Sequence, residues 1–134
     1  MRLLAALSIV ALLAAEPAAA QNAGAFQAAT PALAASLQVA TGANRNLLGL
    51  DVAADSTLSG AAWWVMVFDA ASVPGNGSVT PNKCYAQASG VTQFLLPNAD
   101  VGPRFQNGIV VEVSTAGCFT LTQSAHAFIS ADYQ

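Results

Sequence analysis

Residues 61–69, Ala-Ala-Trp-Trp-Val-Met-Val-Phe-Asp, constrain this chain more than any other stretch. From Trp63 to Phe68 every residue is large and apolar, with β-branched and aromatic types dominant, and Asp69 and a Pro/Gly-rich segment close the run. That pattern reads as a central β-strand. A strand shows its side chains to two sides in alternation, so Trp63, Val65 and Val67 share one face while Trp64, Met66 and Phe68 share the other. Both faces are apolar. One belongs to the core, and the other has to be covered by chain, by a partner or by a ligand, because a bare aromatic stripe in water is a liability. Period alone leaves open whether Trp63 or Trp64 faces inward.

The first residues carry an address. Arg2 and the terminal amine form a short positive region, residues 3–15 form an apolar run, Glu16-Pro17 ends any helix there, and Ala18-Ala19-Ala20 supplies small residues at a cleavage end. The run is too short for a membrane anchor, which takes about 20 apolar residues. A signal peptide over residues 1–20 is therefore expected, cut between Ala20 and Gln21, with no membrane span left after cleavage. The product would be exported, to the periplasm, the cell envelope or the medium. In that oxidising setting the two cysteines, Cys84 and Cys118, are expected to bond to each other. A tetrahedral zinc site would need more ligands than two thiols and the single histidine provide.

Charge removes one function class. Only 8% of residues are charged, against roughly a quarter in an ordinary soluble domain. The mature chain would keep only Arg45, Lys83 and Arg104 as basic groups. Nucleic-acid binding relies on Lys and Arg neutralising phosphates, so nucleic acid is excluded as a partner.

Along the rest of the chain, residues 21–35 are Ala-rich and broken by Gly24 and Pro31, which suits a loose arm or an edge strand. Short strands are expected at residues 36–41, 45–53, 84–88, 91–96, 109–113 and 126–133. Residues 70–83, with Pro74-Gly75-Asn76-Gly77 and Pro81, read as a surface loop. In the strand at 109–113, Ile109, Val111 and Val113 point to the core while Val110 and Glu112 face a side expected to be at least partly wet. Seven to nine short strands with turn signals between them give an all-β fold, an antiparallel β-sandwich of immunoglobulin-like or jelly-roll-like type over residues 36–134.

Three segments carry a resemblance: Trp64-Val-Met-Val-Phe-Asp-Ala70 with the loop at Val73-Pro74, Arg104-Phe-Gln-Asn-Gly108-Ile-Val-Val, and Ala127-Phe-Ile-Ser-Ala-Asp-Tyr133. They are similar to motifs of a family of small, mostly uncharacterised β-sandwich proteins found in tailed phages, prophages and proteobacterial chromosomes. The resemblance spans a little over half the chain and implies a structural or accessory role rather than catalysis. It also implies that the Trp64, Met66 and Phe68 side is the outer one. The export signal is a departure from the phage pattern and favours the cell envelope over a virion.

Reaction chemistry is not legible in these residues. The chain has no Gly-x-Ser-x-Gly elbow, no His-Glu-x-x-His pair and no phosphate-cradling Gly loop. His126 reads as a strand histidine, Asp51 and Asp55 as residues around a strand end, and Asp69 as a turn residue. No catalytic, cofactor or metal residue is assigned, and no enzyme activity is expected. Two readings remain. In the first, an exported structural or interaction module uses Trp64, Met66 and Phe68 to bind a protein partner or a second copy of itself. In the second, the sandwich binds carbohydrate, with Trp63 or Trp64 as a stacking platform and amides of Asn76, Asn82 or Asn107 as hydrogen-bonding groups.

Overall fold

The structure is a computed structural model that describes residues 25–55, 62–87, 93–96, 104–123 and 127–134. The Ala20–Gln21 junction and His126 lie outside the described residues. Among those described, every regular element is a strand: β1 (Phe26–Ala29), β2 (Ser36–Thr41), β3 (Arg45–Ala54), β4 (Trp63–Asp69), β5 (Gly77–Ser78), β6 (Lys83–Gln87), β7 (Gln93–Leu96), β8 (Arg104–Phe105), β9 (Gly108–Ser114), β10 (Thr120–Leu121) and β11 (Ala127–Tyr133). All pairings are antiparallel. The all-β sandwich expected from the sequence is what forms.

Two sheets make the layers. The first has the order β1-β11-β3-β7, with β8 pairing an end of β3, and the second has the order β2-β9-β4-β6. Consecutive long strands alternate between the sheets except for β4 and β6, which are neighbours in the second. Two interlocked Greek keys give this connectivity, so the sandwich is a jelly roll rather than an immunoglobulin-type arrangement.

The face of β4 left open by period is settled by packing. Trp63, Val65 and Val67 are fully buried between the sheets, with Ile109, Val111 and Val113 of β9 beside them and Leu50, Val52, Ile129 and Ala131 opposite. Trp64, Met66 and Phe68 lie on the outer side of the second sheet. Trp63, one of the chain's two tryptophans, is thereby the largest side chain of the core.

The Ala-rich start has a packing reason. After β1 has paired with β11, residues 30–35 cross from one sheet to the other. Thr30 N–H donates to the Ile129 carbonyl (2.9 Å), Ala34 and Ala127 exchange two backbone hydrogen bonds (both 2.9 Å), and Val113 N–H donates to the Ala35 carbonyl (2.9 Å). Small side chains let this segment close one flank of the sandwich while touching both layers. Of the two expectations for residues 21–35, the edge strand forms at Phe26–Ala29.

The turn from β8 to β9 is fixed from outside. Backbone N–H groups of Gln106 and Asn107 donate to the Asp69 carboxylate at 2.6 to 3.0 Å, and the Asp69 N–H donates to Asn82 Oδ1 at 2.6 Å. The Asn107 and Gln106 amides hold the Asp69 carboxyl below its ordinary pKa. Gly108 follows with φ +141°, and a Cβ there would stand 2.7 Å from the carbonyl oxygens of both Ala40 and Ala70. Gly108→Ala should therefore cost about 2 to 4 kcal/mol, from strain and from displaced backbone. Urea unfolding checks this: the midpoint should drop with little change in slope.

Candidate functional site

The outer face of the second sheet holds the residues singled out from sequence. Cross-strand register sets them in rows: Ser36 of β2, Glu112 of β9, Met66 of β4 and Cys84 of β6 make one; Gln38, Val110 and Phe68 make the next; Ser114, Trp64 and Ala86 make a third. Two distant pieces of chain form a strap over these rows. Residues 74–79 and 118–123 meet in the short β5–β10 pair, where Gly77 faces Leu121 and Ser78 faces Thr120. The Val79 N–H donates to the Phe119 carbonyl (3.1 Å). A disulfide between Cys84 and Cys118 ties the strap to β6, with Cα atoms 5.7 Å apart.

The strap corrects the open interaction stripe expected at Trp64, Met66 and Phe68. Met66 and Phe68 are buried, and with Val110 and Leu121 they form a second, smaller core into which Val79, Ala70 and Cys84 also pack. Chain, not a partner, covers them. Trp64, one row further along, is only half-buried. The stripe is thus covered at two of its three positions.

Glu112 is a second correction. Its side of β9 was expected to be partly wet, yet the residue is 0% exposed. Gln123 Nε2 donates both to Glu112 Oε1 (3.3 Å) and to the Pro74 carbonyl (3.1 Å), while the Gln123 N–H donates to Asn76 Oδ1 (2.8 Å). One side chain therefore links the carboxyl to the strap. Glu112 Oε2 is buried with no hydrogen-bond partner. Burial pushes this carboxyl up to about 7, against a smaller lowering by the Gln123 hydrogen bond. The sequence did hold a signal: a glutamate beside a strand that is apolar on both faces must share whatever covers the second face.

Ser114, the register partner of Trp64, is also fully buried but is satisfied. Its hydroxyl donates to the Thr120 carbonyl (2.9 Å) and accepts from the N–H groups of Ala116 and Thr122 (both 3.2 Å). This hub fixes the loop that carries Cys118 and Phe119. Phe119 itself is 69% exposed, the most open large apolar side chain among the described residues.

The groups named for sugar recognition are dispersed or engaged. Trp63 is sealed in the main core and is no platform. Asn76 Oδ1 and Asn82 Oδ1 accept backbone hydrogen bonds, and Asn107 donates to the Asp69 carboxylate from both its backbone N–H and its side chain. Asp51 faces Ser130 across the first sheet, and Asp55 directly follows β3 of that sheet. No group of three metal-ligating side chains occurs among the described residues. The chain matches no protein-family model, no curated protein and no solved structure.

Two measurements check this site. Replacing Cys84 and Cys118 by Ala should remove about 3 to 4 kcal/mol of unfolding free energy, as expected for a crosslink spanning 34 residues. The second concerns pH. A carboxyl whose folded pKa lies above its ordinary 4.5 leaves the fold most stable at low pH and erodes it as pH rises toward about 7. The loss should be on the order of 3 kcal/mol. Denaturant titrations from pH 4 to 8 should show this decline, and Glu112→Gln should abolish it.

Proposed function

We propose that this protein is an exported, non-enzymatic structural or interaction module. Its contact surface is the uncovered end of the second sheet's outer face, where half-buried Trp64 lies beside the strap that presents Phe119. The observation that carries the reading is the pairing of these two aromatics with a rigid mount. Ser114 lies across from Trp64 and binds the Thr120 carbonyl, so Phe119 is held on the same side of the sheet. Aromatic side chains fixed in advance bury large apolar area at small entropic cost, which is the usual make-up of an interface anchor.

Export fits the Cys84–Cys118 disulfide, which is compatible with an oxidising compartment. The resemblance to the phage and prophage sandwich family points toward a structural role as well. Jelly rolls serve in capsids and lectins alike, so the fold class by itself chooses neither. With so few charges on the surface to keep copies apart, a second copy of the chain is the favoured partner.

Light scattering on the mature chain over a range of concentrations tests this. Self-association should appear in the wild type and be lost in Trp64→Ser with Phe119→Ser, while near-ultraviolet circular dichroism stays unchanged apart from the missing indole. A chain that remains monomeric throughout would rule out self-association.

A further inference from the structure

We propose that the strap is a pH-sensitive latch, in which ionisation of Glu112 releases residues 74–79 and 118–123 from the sheet and uncovers Met66, Phe68 and Val110. Three observations converge on it. Glu112 is fully enclosed, and Oε2 has no partner to stabilise a charge. The contact between the carboxyl and the strap runs through one residue, Gln123, which also holds Pro74 and Asn76. Beneath the strap lies an apolar cluster that is distinct from the main core, so it can be exposed without opening the sandwich.

Among the described residues, the surroundings of Glu112 offer no competing charge. Ser36 flanks it from β2 and Met66 from β4; Val110 and Ser114 share its face of β9; Gln123 and the Pro74 carbonyl approach from the strap; Cys84, beyond Met66, is held in the disulfide. None of these carries charge or titrates near neutrality. The neutral carboxyl is therefore compatible with closure, and the carboxylate has water as its only good solvent. The carboxylate reaches water when the strap lifts. The disulfide keeps one end of the strap attached to β6, so the motion is a hinged opening rather than release of the whole segment. The contact surface proposed above, Trp64 with Phe119 on its mount, belongs to the closed state, and the latch itself does not rest on that reading.

Amide hydrogen exchange tests the latch, with protection factors used to normalise for the intrinsic pH dependence of exchange. Protection of the Val79 and Gln123 amides should fall roughly 70-fold between pH 5 and 8, while Val65 and Val111 amides stay protected. Glu112→Gln should leave the strap amides equally protected at both pH values, and Glu112→Met, an apolar match, should do the same if the glutamine variant does not fold. Strap protection in the wild type that does not change with pH, or the same fall in either variant, would overturn the proposal. Opening that is accompanied by weaker self-association at pH 8 supports both the latch and the contact surface, because Phe119 then leaves its mount. Opening in a chain that is monomeric at both pH values keeps the latch and removes self-association as the use of that surface.

Discussion

Everything in this fold depends on burying β4 on both sides. An apolar strand at the centre of a sheet is stable only if each face is taken out of water, and the two faces of β4 meet that demand differently. Between the sheets, Trp63, Val65 and Val67 interdigitate with β9 and with the opposite layer, as in any sandwich. On the outside the described residues offer only the two-stranded β5–β10 ribbon. Two short, distant pieces of chain do the covering, held by a four-residue β5–β10 pair, a disulfide and a handful of side-chain hydrogen bonds.

The two covers differ in kind. The inner one is close-packed and apolar throughout, so opening it means unfolding. The outer one rests on few apolar side chains and includes a polar group, Glu112, that is poorly served by its neighbours. Local stability follows local packing, and the strap sits at the weaker end of that range. Function in a chain with so little charge and so few reactive groups is most naturally sought where the structure is least committed.

Much of the sandwich was readable because its strands announce themselves. The segments at 63–69 and 108–114 are runs of β-branched and aromatic residues, those at 36–41 and 45–54 are apolar stretches bounded by turn signals, and nearly every boundary falls within a residue or two of expectation. The disulfide followed from export and from there being two cysteines. The strap was not readable. Its pairing uses two residues from each side, too few to show a period, and they come from a segment whose prolines and glycines signal only an irregular loop. The burial of Glu112 was hidden for the same reason, since its environment is made by Gln123 and Pro74, which no local pattern connects to it. The role of the alanines at residues 30–35 also depends on partners, Ala127 and Val113, far along the chain.

The placement of the two sulfur atoms gives the sheet a cross-brace. Cys84 lies on β6 and Cys118 just beyond β9, and these strands flank β4 on opposite sides. The bond therefore spans the outer side of β4 from one neighbour to the other, so sliding of β6 against β9 is resisted by a covalent tie as well as by the hydrogen-bonded ladders.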